Sequence, residues 1–300
     1  MTIDTIDETG RLAAPLTVAA AQFRAGEDVD KNLVVLEDLT AQAVSRGAEL
    51  VVFPEAAMHA WEAPAHRLRA VADQDAPRFV DGLREICDAS GATVVAGIFA
   101  PGHEGRPVNR LVAMDRTGVL ATYDKVHLYD AFHYRESETV TAGRPRADHT
   151  ELGTFTMGPW TVGMLNCYDL RFPEMARLLT QQGVNVLAVS SAWVFGPQKE
   201  MHWEILLRAR AIENTAYVVA SSQPPPVSTG LSMVVDPLGL VASTCTLDEG
   251  LALHTLDEGH LREVRELIPS LTQRHYTVHP RSNAPADSPT APPSTGQEMT

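Results

Sequence analysis

Three hairpin signals, set into an alternation of buried strands and amphipathic helices, constrain this fold more than any other feature. Residues 16–23 (LTVAAAQF), 49–53 (ELVVF), 93–99 (TVVAGIF), 184–190 (VNVLAVS) and 216–222 (AYVVASS) are apolar runs of strand length. Residues 31–46 put Leu33, Val34, Leu36, Leu39, Ala43 and Val44 on one helical face and stop at Gly47. Residues 77–90, capped by Gly91, and 200–214 and 260–267 also read as helices. Alternation alone would allow a single doubly wound parallel sheet. Against that stand the pairs 109–115/119–123, 154–157/160–165 and 231–235/240–244, joined by Arg116-Thr117-Gly118, Gly158-Pro159 and Asp236-Pro237-Leu238-Gly239. The pattern predicts an α/β fold in which two packed sheets carry helices outside both, a four-layer α-β-β-α sandwich.

A chain of 300 residues has ample length for such a core. We expect a folded domain over 15–280, a flexible N-terminus over 1–14 and a disordered tail over 281–300, where Pro, Ala, Ser and Thr dominate. Acidic residues outnumber basic ones, 38 to 24, for a formal charge of −14. That balance offers no basic footprint for nucleic acid or anionic lipid. Cys87, Cys167 and Cys245 lie far apart without a CxxC partner, so neither a disulfide framework nor metal-ligand spacing appears. The first ten residues lack a basic start, and no apolar run reaches membrane-spanning length. A reducing cytoplasm is the expected compartment.

The chemistry centres on residues 161–174 (TVGMLNCYDLRFPE). A short apolar run meets Cys167, and Pro173 then opens a helix carrying Met175, Leu178 and Leu179. A thiol at such a strand-to-helix turn is expected to be exposed and acidic, as suits a nucleophile. Taken alone, Cys167 could equally be a buried structural thiol. A nucleophilic thiol needs a base. His127 and His133 are available but have no evident orienting partner, whereas Glu55 and Lys125 each end a strand. Strand ends at one edge of a sheet converge, which could bring Glu55, Lys125 and Cys167 into one pocket.

Phe53-Pro54-Glu55, Tyr123-Asp124-Lys125-Val126-His127-Leu128 and residues 166–174 (NCYDLRFPE) resemble the three signature segments of the nitrilase superfamily, the carbon–nitrogen hydrolases. Residues 202–214 (HWEILLRARAIEN) resemble a helix typical of its amidase branches. The resemblance runs from about residue 16 to 246. It implies a Glu-Lys-Cys triad of Glu55, Lys125 and Cys167, an oxyanion site formed by Lys125 with the Tyr168 backbone, and a fourth, substrate-orienting Glu136. Ammonia would leave a thioester that water then hydrolyses, with no metal or organic cofactor. Tyr168, His127, Trp61, Phe132 and Trp193, and also Met58, are candidates for the pocket wall. Arg171 could meet a substrate carboxylate or, with more support from the sequence, an internal partner such as Asp169 or Glu174.

Cys-Tyr-Asp-Leu-Arg-Phe-Pro-Glu is similar to omega-amidases and deaminated-glutathione amidases, where nitrilases show Cys-Trp-Glu. A small linear amide is therefore the expected substrate, with carbamoyl compounds or nitriles as alternatives. A non-catalytic binding member and a Cys-His acyltransferase are the readings from other classes. The segment from Lys125 to Glu136 is shorter than in those amidases, and Ser191-Ala192-Trp193 replaces Ser-Ala-Phe. The 202–214 helix resembles one that family members often use in subunit packing, and that resemblance implies a homodimer or higher homo-oligomer.

Overall fold

The computed structural model describes residues 15–146 and 148–279; the expectations for 1–14 and 281–300 fall outside the described residues. Strand β1 (Leu16–Gln22), helix α1 (Val29–Ser45), β2 (Leu50–Val52), α2 (Ala65–Gln74), α3 (Ala76–Ser90) and β3 (Thr93–Ala100) form a first βαβαβ run. Strands β4 (Val108–Asp115) and β5 (Gly118–Asp124) extend it, and the short ribbon β6 (Asp130–Ala131) and β7 (Tyr134–Arg135) follows. The hairpin β8 (Thr154–Met157) and β9 (Trp160–Asn166) opens a second run through α4 (Pro173–Gln181), β10 (Val186–Ser191), α5 (Lys199–Asn214) and β11 (Tyr217–Ser222). It ends with β12 (Met233–Val235), β13 (Val241–Thr244), β14 (Gly250–Leu256), α6 (Glu258–Leu267) and α7 (Ser270–Gln273).

One six-stranded sheet has the order β14-β1-β2-β3-β4-β5, the other β13-β12-β11-β10-β9-β8. In each, three central parallel strands are flanked by antiparallel ones. Period-two alternation explains the layers. Val18, Ala20, Leu50, Val52 and Val95 share a core with the second sheet, and Ala19, Ala21, Val51, Val94 and Ala96 share another with α1 and α3. Helices α4 and α5 cover the outside of the second sheet. The sandwich expected from the hairpins is the one observed.

Local signals set most boundaries. Asp28 caps α1 by accepting from the Asp30 and Lys31 N–H groups, and Pro173 takes the first turn of α4. Two elements go beyond the sequence reading. Strand β14 pairs antiparallel along the whole of β1, from Leu16 opposite Leu256 to Gln22 opposite Gly250. Helix α2 buries only Leu68, Val71 and Ala72, too narrow a stripe to stand out.

Candidate active site

Glu55, Lys125, Cys167 and Glu136 do meet, but not at one edge of one sheet. Glu55 follows β2 and Lys125 follows β5, both in the first sheet, while Cys167 follows β9 in the second. The pocket forms where the C-terminal strand ends of the two sheets face each other. Lys125 Nζ lies 2.7 Å from Glu55 Oε1 and 2.8 and 3.0 Å from the two Glu136 oxygens, and all three side chains are buried. The second Glu55 oxygen accepts the Ala192 N–H at 2.8 Å, from the end of β10. Gln223, after β11, donates to the Glu55 carbonyl at 2.9 Å. Both sheets thus hold the same glutamate.

Close backbone approach builds this corner. A Cβ on Gly97 would sit 2.3 Å from the Ala56 nitrogen, and one on Gly143 would sit 2.2 Å from the Asp124 carbonyl oxygen. Glycine at these two positions lets β3 press on the Glu55 turn and lets the loop after Lys125 close.

Charge and burial compete throughout the cluster. Burial would raise the Glu55 carboxyl, yet the Lys125 ammonium and its hydrogen bond hold it below the ordinary 4.5. Lys125, which burial alone would push down, stays well above its usual value because Glu136 and Glu55 face it. Cys167 departs from the sequence expectation. It is buried, and burial first, then the Glu55 carboxylate beside it, push its thiol up rather than down. A short 3₁₀ turn, Cys167–Arg171, separates it from Pro173, so the α4 N-terminus is not at the sulfur to offset these two effects. Cys167 thus rests as a thiol next to the Glu55 carboxylate.

The elbow itself is strained. Cys167 has φ 47°, a left-handed backbone that costs an L-residue about 1–2 kcal/mol. Asp169 stabilises the turn from within: it accepts from Tyr123 Oη at 2.8 Å, the His127 N–H at 3.0 Å and the Asn166 N–H at 3.3 Å. Arg210, on the buried face of α5, donates to the Leu170 carbonyl at 2.6 Å.

Of the wall candidates, Trp61, Tyr168 and Trp193 line the pocket. His127 does not; its ring stacks on Phe172 at 3.7 Å and its Nδ1 lies 2.8 Å from Asp169. Phe132 is exposed, and Met58 belongs to the core beneath α1 and α3. Arg171 pairs with neither Asp169 nor Glu174; it lines the pocket, since Asp169 is already occupied by the groups named above. The sequence reading missed Asn109, whose Nδ2 donates to Glu55 at 2.8 Å and Glu136 at 3.1 Å while its Oδ1 accepts from Asn166 at 2.9 Å. A polar residue inside the apolar strand run Val108–Asp115 was the available signal. Glu136 and Glu138, two residues apart, are separated by a 3₁₀ turn that buries the first and exposes the second. Among the described residues no group of three His, Cys, Asp or Glu is arranged to hold a metal ion.

Residues 17–266 match the carbon-nitrogen hydrolase family. A deaminated glutathione amidase of Escherichia coli O157:H7 is 34% identical over 261 residues, covering 87% of this chain and 98% of its own. Among solved structures, the NitFhit protein of C. elegans has a TM-score of 0.79 at 27% identity, over 88% of this chain and 67% of that one. An amidase of Nesterenkonia sp. AN1 was solved as a mutant with the acetamide moiety of fluoroacetamide covalently added at its active-site cysteine. It has a TM-score of 0.71 at 25% identity, over 87% of this chain and 94% of its own. With its sandwich of two sheets and this match over most of its length, the chain belongs to the carbon–nitrogen hydrolases, on the amidase side of the nitrilase superfamily.

Proposed function

We propose that the pocket hydrolyses small linear amides through a thioester on Cys167, and that Glu55, Lys125 and Glu136 serve that chemistry. The observation that carries the reading is a buried thiol beside a carboxylate that Lys125 keeps ionised. Glu55 takes the Cys167 proton as sulfur bonds to the amide carbon. The oxyanion is stabilised by the Lys125 ammonium and the Tyr168 backbone N–H, in the first turn after Cys167, where helix N–H groups lack internal acceptors. The proton passes from Glu55 to the amide nitrogen, the C–N bond breaks and ammonia leaves. Glu55 then deprotonates water, water attacks the thioester, and the acid departs as the thiol regains its proton. The cysteine adduct of the Nesterenkonia amidase supports a nucleophilic role at the matching place. An ammonia-release screen over small amides, carbamoyl compounds and nitriles tests the reading; release from carbamoyl compounds or nitriles alone would replace it.

Glu136 spends its oxygens on Lys125, Asn109 and the Tyr129 N–H, so it acts on the substrate by fixing Lys125. Glu136→Gln should fold and lose about a hundredfold in turnover, the scale of a misplaced catalytic group. Glu138→Gln, on the solvent side of the turn, should cost little. Equal mild effects on one good amide would remove Glu136 from the machinery.

The working unit in this reading is a homodimer or a multiple of it. Met201, Ile205 and Ile212 are exposed along one face of α5, and Leu238 and Leu240 stand exposed on the turn that Arg208 holds against that helix. An apolar patch of this kind suits symmetric pairing with a second copy. Light scattering at micromolar protein should give at least twice the chain mass, and a monomer mass would overturn the proposal. The reading keeps the enzyme in the cytoplasm: its three cysteines are unpaired, and among the described residues no helix is long and apolar enough to cross a membrane.

A further inference from the structure

One residue outside the signature segments touches all four stretches of chain that carry Glu55, Lys125, Glu136 and Cys167. Asn109 is buried in β4, and its backbone carbonyl accepts the Lys125 N–H at 2.9 Å. Its Oδ1 accepts from Asn166, next to Cys167, at 2.9 Å, which turns the N–H₂ end of the amide to the glutamates. There Nδ2 donates to Glu55 Oε1 at 2.8 Å and to Glu136 Oε1 at 3.1 Å. Lys125 Nζ holds the same two oxygens at 2.7 and 3.0 Å, so two donors and two acceptors close a ring. Its charges are uneven, because two buried carboxylates share one ammonium. Asn109 supplies N–H dipoles where a second cation is missing, and an aliphatic side chain would leave the excess unanswered. The ring also divides Glu55 by atom. Each carboxylate oxygen has about two lone-pair sites. Oε1 spends both, on Lys125 and Asn109, whereas Oε2 spends one, on the Ala192 N–H.

We propose that Asn109 is a positioning residue for the proton transfer: it closes Glu55 Oε1, so that Oε2 takes the Cys167 proton, and it keeps Glu55 ionised beside Glu136. The proton leaves sulfur for Oε2 as sulfur bonds to the amide carbon, and passes from Oε2 to the leaving nitrogen. Without Asn109, an idle lone pair on Oε1 competes for that proton on the side of the carboxylate that Lys125 holds. The assignment rests on the amidase reading of the Cys167 pocket.

Asn109→Leu is close in volume and removes both donors. Its kcat for ammonia release from a good amide should fall by about tenfold to a hundredfold, the scale of a hydrogen bond to a charged group, with KM nearly unchanged. The acid limb of kcat/KM should move upward by about one pH unit, because a carboxylate that loses an N–H donor keeps its proton to higher pH. The other titratable groups facing Glu55 are Lys125 and Glu136 in the ring, Cys167 beside it and Tyr134 of β7, and the variant keeps all of them. Asn109→Asp carries the test if Asn109→Leu does not fold. It keeps the shape and the acceptor for Asn166 but donates to the glutamates only while it holds a proton. It should therefore lose turnover as pH rises, through a new alkaline limb below that of the wild type. Wild-type kcat with an unmoved acid limb in Asn109→Leu, or a wild-type profile in Asn109→Asp, overturns the assignment. Infrared titration on Cys167→Ala reads the ring without turnover: the carbonyl band of a protonated carboxyl should appear at higher pH once Asn109→Leu is added. That shift, in an enzyme that releases no ammonia from any amide, would retain the hold of Asn109 on Glu55 and remove the amidase reading. Ammonia release with neither the band nor the acid limb moved would do the reverse.

Discussion

Cys167→Ala folds like the wild type and releases no ammonia. The expected loss is about 10⁴-fold or more, because without the sulfur no covalent intermediate divides the reaction into two easier steps. The backbone change is slight: alanine, like cysteine, is an L-residue, so the left-handed φ of 47° costs it the same. Glu55, Lys125 and Glu136 keep every hydrogen bond to one another. Intact-mass measurement on wild type with a slow amide should show the acyl adduct, and the variant should show none. Turnover unchanged in Cys167→Ala would exclude the thioester route entirely.

Lys125→Met should damage stability and chemistry together, and in a readable pattern. Removing the ammonium leaves Glu55 and Glu136 buried and close without their shared counter-charge. Breaking a buried pair in this way costs about 3–5 kcal/mol. For a chain of this size that lowers the melting temperature by about 10 °C. Turnover should fall by a further factor of about 10²–10³ for the lost oxyanion contact. The pH profile supplies the specific signature. In the wild type Lys125 holds Glu55 below 4.5 against burial, so the acid limb of kcat/KM lies below that pH. Without Lys125, burial raises Glu55, the base is protonated at higher pH, and the acid limb moves upward. A variant that keeps kcat within tenfold, with an unmoved acid limb, would show that Lys125 neither stabilises the oxyanion nor sets the base.

What the sequence disclosed depended on the range of the forces involved. Hairpins, caps and strand-length runs are local, so the sandwich and the strand ends carrying Glu55, Lys125 and Cys167 were legible. Strand β14 was not, because its partner β1 lies over two hundred residues away and its own run, GLALHTL, carries a histidine and a threonine. The state of the Cys167 thiol was misread for a similar reason. Strand-to-helix geometry argues for an acidic thiol, but the carboxylate that opposes it comes from the other sheet. Asn109 was passed over although it interrupts an apolar strand run, because its partners Glu55, Glu136 and Asn166 all come from other segments. Its meaning appears only when those partners are placed around it.

The division of the site between two sheets ties catalysis to shear. Glu55 and Lys125 ride on one sheet and Cys167 on the other. Polar ties cross between them at several points: Ala192 and Gln223 to Glu55, Asn166 to Asn109, Tyr123 and His127 to Asp169, Ser221 to the Ala21 carbonyl and Ser232 to Gln22. The rest of that interface is side-chain packing, which has no directional preference of its own. A slide of about 1 Å, a small fraction of the roughly 4.8 Å between neighbouring strands, would leave every ladder bond within both sheets intact. It would also carry the Cys167 thiol out of line with Glu55. Heating can therefore silence this enzyme while its strands and helices are still formed, and inactivation would report the slippage of one sheet over the other.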